Sequence, residues 1–235
     1  MSTRINTYNP LSVLSGSTLK LIACALMLVD HIGLILCPSL DILRMIGRLA
    51  FPLFAFFIAE GCRHTRHKLR RLLWLAVPAV LMLVIYRLYD GAWQGNIFLT
   101  FTYSATLIWL LDVACDTRGT WRAAAIVGFF SSLAALWWLC GVLPTDYGYY
   151  GVLVPVFVRA ADMLTPRNSH YARLAGLAVG LLLLACDMGG IQYLSLLSLI
   201  PLALYDGERG RYPLKYFFYA FYPLHLILLQ LIAML

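Results

Sequence analysis

Hydrophobic residues in this chain fall into long runs that are separated by short polar stretches. Nine apolar segments cover approximately residues 19–37, 44–62, 71–89, 97–113, 122–140, 149–164, 171–187, 190–206 and 215–234. Most approach the roughly 20 residues with which an α-helix crosses a bilayer, and they are too long for barrel strands of about ten residues. The sixth segment is short, and the seventh and eighth are barely separated, so eight to ten spans fit. The pattern predicts an all-α, polytopic transmembrane helical bundle of about nine spans.

The composition excludes an ordinary soluble domain. Hydrophobic residues make up 62% of the 235 residues and charged residues only 12%, whereas soluble domains carry about 25% charged residues. We expect a polar cytoplasmic leader over residues 1–18 and a single transmembrane domain over 19–235. The leader does not resemble a cleavable signal, because the first apolar run contains Asp30 and His31. The six cysteines lack metal-ligand spacing, and we expect no metal.

Basic residues set the predicted orientation. With nine spans, almost all of them fall in loops on one side of the membrane, including the dense run over residues 63–71. The opposite loops hold Arg87 and little else that is basic. The positive-inside rule therefore places the N-terminus in the cytoplasm and the C-terminus outside. The net charge of +7 thus reflects membrane topology rather than binding to nucleic acid.

Asp30 and His31 are the first candidates for chemistry. An ionisable pair at membrane depth costs roughly 2.5–3.5 kcal/mol per charge, and a carboxylate beside an imidazole suits proton transfer. The pair can equally staple two helices together. Arg44 and Arg48 open the second span at the same side of the membrane and share one helical face. They either anchor that span at the interface or bind a phosphate or carboxylate.

Further polar residues gather at the same predicted outer face, from several separate segments: Asn96, Asp146, Tyr147 and Tyr150. A shared aqueous or substrate cavity explains this convergence, although a helix cap, a turn and an aromatic belt are the alternative explanations. His225 lies inside the last span, close to Pro223, and either joins a polar network or makes one structural hydrogen bond. At the inner face, the loop with Arg63 and Lys68 can attract an anionic cytosolic ligand.

Six motifs in this order resemble the TraX family of bacterial membrane proteins over nearly the whole chain. They are Asp30-His31-Ile32-Gly33, the Gly-Arg-x-Ala-Phe-Pro run within 46–55, Glu60-Gly61, residues 95–101, the Asp-Tyr-Gly-Tyr-Tyr-Gly run over 146–151, and the closing 218–225. One acidic position of the family is absent here unless Asp90 replaces it. A more distant likeness to membrane acyltransferases that use acyl-CoA rests on the Arg-x-x-x-Arg form of residues 44–48.

The resemblance implies an enzyme of the bacterial inner membrane that transfers an acetyl group from acetyl-CoA to the N-terminal amine of a pilin in conjugative pilus biogenesis. On this hypothesis His31 is the general base, oriented by Asp30 or by a neighbour across the bundle. The predicted residues for the coenzyme are Arg44, Arg48, Arg63 and Lys68. Those for the acceptor are Asn96, Asp146, Tyr147, Tyr150 and His225. Arg48, Asn96 or Tyr147 is expected to stabilise the oxyanion.

Two other functions fit the same residues. A membrane O-acetyltransferase acting on a cell-surface glycan would share the donor and the fold but not the acceptor. A pilus-assembly factor or small-solute transporter would carry out no chemistry. Transporters tend to show two matching halves, and the sequence has no clear internal repeat.

Overall fold

The chain folds into a bundle of apolar helices. The computed structural model describes residues 12–91, 93–143, 145–165, 170–211 and 215–235. The α-helices are α1 (Gly16–Ile35), α2 (Asp41–Gly47), α3 (Ala50–His64), α4 (Lys68–Asp90), α5 (Ile97–Asp116), α6 (Trp121–Val142), α7 (Gly148–Leu164), α8 (His170–Met188), α9 (Leu199–Ala203) and α10 (Lys215–Ala233). A 3₁₀ helix, Gly190–Ser198, precedes α9. Within these ranges every regular element is helical, which confirms the predicted all-α class.

Six helical segments of the described chain are long and apolar enough to cross a membrane. They are α1, the combined α2 and α3, α4, α5, α6 and α8. The shorter apolar helices are α7, with 17 residues, and the segments Gly190–Ala203 and Phe217–Ala233. The prediction of a multi-pass membrane protein is therefore confirmed, whereas the count of nine spans stays a prediction.

Three of the predicted segments differ in detail from the observed helices. Helix α1 begins at Gly16 rather than Leu19, because the Ser15 hydroxyl caps it by accepting a hydrogen bond from the Thr18 N–H. The second segment is divided into α2 and α3, because Pro52 has no N–H to donate to the Arg48 carbonyl. The eighth segment is mostly a 3₁₀ helix. Of the predicted leader, residues 1–11 lie outside the described residues.

Backbone contacts define two ends of the bundle. At the N-terminal end, where α1 begins, the Leu14 N–H donates to the Leu204 carbonyl at 3.0 Å, which places the end of α9 there. At the opposite end, Arg48 lies 3.4 Å from Gln192, at the start of the 3₁₀ helix. The segment from Gly190 to Ala203 therefore runs along the bundle between its two ends.

A cluster of buried charges ties the helices together at the N-terminal end. It contains three carboxylates and four cationic side chains from α3, α4, α5, α7 and α8: Glu60, Asp112, Asp162, Arg63, Lys68, Arg159 and Arg173. Asp162 is 2% exposed and accepts a hydrogen bond of 2.9 Å from Arg159. Buried charges are tolerated only when they are paired, so the cluster fixes how these five helix ends meet.

Gly189 provides the backbone turn that starts the 3₁₀ helix. Its φ of 68° and ψ of −168° lie in a region that is essentially restricted to glycine. No atom lies within 4 Å of the position that a Cβ would take there. If a side chain at position 189 destabilises the protein, the cause is therefore backbone strain and not a steric clash.

We predict that Gly189→Ala lowers the free energy of unfolding by about 1–3 kcal/mol, because alanine is strained in this conformation. Gly128→Ala is the matched control. That glycine also has nothing within 4 Å of its Cβ position, but it lies in α6, where alanine favours the helix. Thermal unfolding of both variants in detergent measures the difference. Equal melting temperatures for the two variants would contradict the strained turn.

Candidate functional site

A cavity of about 950 Å³ opens at the N-terminal end of the bundle and extends inward between α1, α3, α5 and α10. Its mouth is lined by Lys20, Arg71, Arg209 and Arg211, with Glu60 as an acidic neighbour. Its inner part is lined by apolar and aromatic side chains, among them Met27, Ile97, Phe98, Phe101 and Tyr222. The cavity therefore joins a cationic entrance to an apolar interior.

The cations at the mouth are held in place by the protein. The Lys20 ammonium lies 4.8 Å from the centroid of the Phe57 ring, a cation–π contact. One Arg71 nitrogen donates a hydrogen bond of 3.0 Å to the Ile58 carbonyl, and Gly61 leaves room for the Arg71 guanidinium beside α3. Several fixed positive charges around one opening suit a ligand with more than one negative charge, such as a phosphate-bearing molecule.

His31 and His225 face each other beyond the inner end of the cavity, and neither is among the described residues that line it. His31 lies one helical turn beyond Met27, and its Nδ1 is 2.9 Å from Nε2 of His225. The Nδ1 of His225 is 2.7 Å from the Phe221 carbonyl. A carbonyl only accepts, so His225 carries its proton on Nδ1, and with both rings neutral its Nε2 accepts from Nδ1–H of His31. This assigns the unprotonated nitrogen of His31 to Nε2, the atom that can act as a base.

Tyr222 connects this pair to Asp146. Its side chain is 4% exposed, and its ring centroid lies 6.1 Å from that of His31. The Tyr222 hydroxyl donates to the Asp146 carboxylate, which also accepts the N–H of Ile97 at the start of α5. Although Asp146 keeps some exposed surface, the protein around it desolvates the carboxylate and Asp30 repels it, so its pKa is raised to about 7.

A second polar cluster lies beside His31, at the opposite end of the bundle. Asp30 forms an ion pair with Arg44, and one of its oxygens lies 3.8 Å from an Arg48 nitrogen. Arg48 also donates to the Gln192 carbonyl oxygen at 3.4 Å. Gly47 makes this packing possible, because a Cβ at that position would overlap the Asp30 side chain. The cluster joins α1, α2 and the 3₁₀ helix.

Asp30 and His31 are adjacent in the sequence but contact different neighbours in the structure. Asp30 is paired with the two arginines, whereas the His31 ring contacts His225 and the backbone of Met27. Consecutive residues of a helix point about 100° apart, which is why adjacent side chains meet different neighbours. Of the two predicted ways of orienting His31, the neighbour across the bundle is the one observed.

Arg63 and Lys68 lie away from the cavity and are engaged in the charge cluster of the N-terminal end. Arg63 is 3.5 Å from Asp162, and Lys68 is 2.9 Å from Asp112. Neither is among the described residues that line the cavity. The sequence located the cationic region correctly, but carboxylates from other helices pair with these two side chains.

The remaining predicted residues have varied surroundings. Asn96 is fully buried and caps α5, because its side chain accepts the Leu99 N–H and donates to the Ala79 carbonyl, both at 3.0 Å. The Tyr147 ring stacks on Phe51 at 4.0 Å. Tyr150 is exposed and packs against Tyr149. The side chain of Asp90 lies outside the described part of the chain.

Sequence reasoning assigned no chemical role to Lys20, Arg71, Tyr222 or Gln192. A signal for Lys20 exists, since it lies eleven positions before His31. At 100° per residue this spacing is within about 20° of three full helical turns, so both side chains lie on one face of α1. The polar period that Gln192 begins with Ser195 and Ser198 does not reveal its contact with Arg48, which lies in a distant part of the chain.

Comparison with known proteins places the chain in a family. The family model described as TraX protein matches residues 15–233. The chain belongs to the TraX family. It is 30% identical to a Protein TraX of Escherichia coli over 92% of this chain and 86% of that protein. It is also 29% identical to the probable fimbrial assembly protein FimC, serogroup H1, of Dichelobacter nodosus, over 92% of this chain and 94% of that one. No solved structure matches the chain.

The contact between Gly47 and Asp30 generates a prediction. In the TraX-family chain described here, Gly47→Ala displaces Asp30 from Arg44 and Arg48, which costs about 3–5 kcal/mol if a buried charge loses its partner. Thermal unfolding of the detergent-purified variant measures the loss. Gly141→Ala, where nothing lies within 4 Å of the added Cβ, is the control. A Gly47→Ala protein as stable as the control would show that α1 and α2 do not pack this closely.

Proposed function

We propose that this TraX-family protein is an acetyl-CoA-dependent N-acetyltransferase of the inner membrane, which acetylates the N-terminal amine of a pilin in conjugative pilus biogenesis. The observation that carries the proposal is the cavity, since one continuous space leads from a cationic mouth to Tyr222, whose ring lies 6.1 Å from the ring of His31 and 5.8 Å from that of His225. The names of the two relatives, Protein TraX and a probable fimbrial assembly protein, support a role in pilus formation.

The dimensions of the cavity suit the donor. Lys20 at the mouth and His31 beyond the inner end are eleven residues apart on α1, or about 16 Å along the helix axis. An extended pantetheine arm spans such a distance, so the nucleotide phosphates bind at Lys20 and Arg71 while the thioester reaches the histidine pair. The mouth corresponds to the predicted cytoplasmic side, where acetyl-CoA is available.

The chemistry requires a base, because an ammonium group is not a nucleophile. The acceptor ammonium first loses one proton to solvent, and as the neutral amine nitrogen attacks the acetyl carbonyl carbon, Nε2 of His31 takes the second proton that this nitrogen must lose. The C–N bond forms, the tetrahedral oxyanion collapses, and the C–S bond breaks. The proton on His31 then passes to the departing thiolate. His225 is a positioning residue, because its Nε2 accepts Nδ1–H of His31 and keeps the opposite nitrogen available.

Arg48 is the oxyanion donor that we assign among the three candidates from the sequence. Asn96 is less suitable, since the cap of α5 and the Ala79 carbonyl occupy its side chain. Tyr147 is stacked on Phe51. Arg48 lies beside Asp30, the residue that precedes His31, and its side chain is only 11% exposed, so that a fixed positive charge acts strongly on a developing negative one.

We predict that His31→Ala lowers the rate of acetyl transfer by about 10²–10⁴-fold, the usual contribution of a general base. The purified protein is incubated with acetyl-CoA and the mature pilin of its own operon, and the pilin is weighed by intact mass spectrometry. His67→Ala, an exposed histidine of the loop between α3 and α4, is the control and should leave the rate unchanged. Full activity of a folded His31→Ala protein would remove His31 from the mechanism.

Donor binding is a separate prediction. Lys20→Gln should weaken acetyl-CoA binding roughly tenfold, a loss of about 1.4 kcal/mol, whereas Arg66→Gln in the exposed loop should not. Calorimetry at two salt concentrations measures the affinity of both variants for acetyl-CoA. The affinity of the unmodified protein should fall at the higher concentration, because salt screens the positive charges at the mouth.

The acetylation and binding measurements together distinguish the proposed N-acetyltransferase from the alternative functions. Binding of acetyl-CoA without acetylation of pilin would favour another acceptor, such as a cell-surface glycan. No binding at all would favour a pilus-assembly factor or a transporter.

A further inference from the structure

One face of the 3₁₀ helix is polar, although it is buried inside the bundle. Gln192, Ser195 and Ser198 are 2%, 0% and 0% exposed, respectively. They are spaced three residues apart, and a 3₁₀ helix has three residues per turn, so the three side chains stack in one row. In an α-helix the same three positions would spread over about 120°. The unusual helix type therefore aligns these polar groups.

The row contains polar atoms that need partners. Across the described part of the chain, no hydrogen-bond partner is found for Nε2 of Gln192 or for the hydroxyls of Ser195 and Ser198. The same holds for two atoms of the neighbouring cluster, Nε of Arg48 and Oδ1 of Asp30. Buried polar groups in native proteins are paired with protein or with ordered water in the great majority of cases. Five such atoms in one connected region indicate that something polar binds there.

The spacing indicates what the ligand is. Side chains one turn apart on a 3₁₀ helix are separated by roughly 6 Å, since the rise is about 2 Å per residue. This is too far for a direct hydrogen bond. Two hydrogen bonds of about 2.8 Å through a single water molecule cover nearly the same distance. Each step of the row is thus matched to one bridging water.

We propose that the polar face of the 3₁₀ helix binds a file of internal water molecules that extends from Arg48 and Gln192 to Ser198. The file hydrates the Arg48 guanidinium inside an apolar bundle, where an unsolvated cation is costly. It lies along α2, α3 and α8, the helices against which the 3₁₀ helix packs. This inference goes beyond the proposed function, because the hydration of Arg48 does not depend on which reaction the protein catalyses.

The sign of a stability change tests the proposal. If Ser195 and Ser198 bridge through water, Ser195→Ala and Ser198→Ala break these bridges and lower the melting temperature of the full-length protein by about 2–4 °C each. If the hydroxyls are dry and unpartnered, alanine removes a buried polar group and the melting temperature stays the same or rises. A temperature that is unchanged or higher for both variants would overturn the file.

Ser104→Ala is the matched control. Ser104 is also fully buried, but its hydroxyl lies 2.7 Å from the Val152 carbonyl and 3.0 Å from the Thr100 carbonyl. Its replacement removes a direct hydrogen bond and should lower the melting temperature, which shows that the assay detects such a loss. An experimental structure at a resolution that defines waters supplies the second measurement. Density within hydrogen-bond distance of the Ser195 hydroxyl is expected, and a dry contact there would overturn the proposal whatever the acetylation assays give.

Discussion

The cost of placing charge inside an apolar bundle determines how this structure is arranged. A charge at membrane depth is tolerated only with a partner or with water, so each ionisable side chain must meet groups from other helices. At the N-terminal end this requirement brings five helices together around Asp112 and Asp162. At the opposite end it brings Arg44 and Arg48 onto Asp30. These two clusters add specific contacts to the apolar packing between the helices.

The cavity lies between these two clusters, and the residues next to each cluster determine the polarity of its two ends. At its mouth, the cations that remain outside the charge cluster, such as Lys20 and Arg71, face the opening rather than a carboxylate of the cluster. Beyond its inner end, the His31–His225 contact joins α1 to α10 across 194 positions of the chain. A site assembled from such distant segments exists only in the folded bundle. The neighbour of the His31 ring therefore comes from the last helix, which the sequence around Asp30 and His31 does not reveal.

The sequence predicted the helical class and most helix positions, because hydropathy and length report directly on membrane insertion. The sequence could not predict which side chains of different helices form ion pairs or hydrogen bonds with one another. Lys68 and Lys20 look alike as basic residues before apolar runs, yet Lys68 pairs with Asp112 while Lys20 faces the cavity. Asn96 reads equally well as a cap or as a ligand; in the structure its side chain accepts the Leu99 N–H, which caps α5, and donates to the Ala79 carbonyl in α4. Such outcomes depend on which helices are neighbours, which hydropathy does not encode.

The 3₁₀ helix shows a second limit of sequence reasoning. Residues 190–206 are as apolar as the other segments, and the 3.6-residue period is the usual assumption for such a run. Yet Gln192, Ser195 and Ser198 repeat every three residues, the period of the helix that they form. A period of three in the polar residues, preceded by Gly189 and Gly190, is a local signal for this helix. The chain therefore encodes a 3₁₀ helix, an exception to α-helical geometry, beside Arg48, a buried cation that requires polar neighbours.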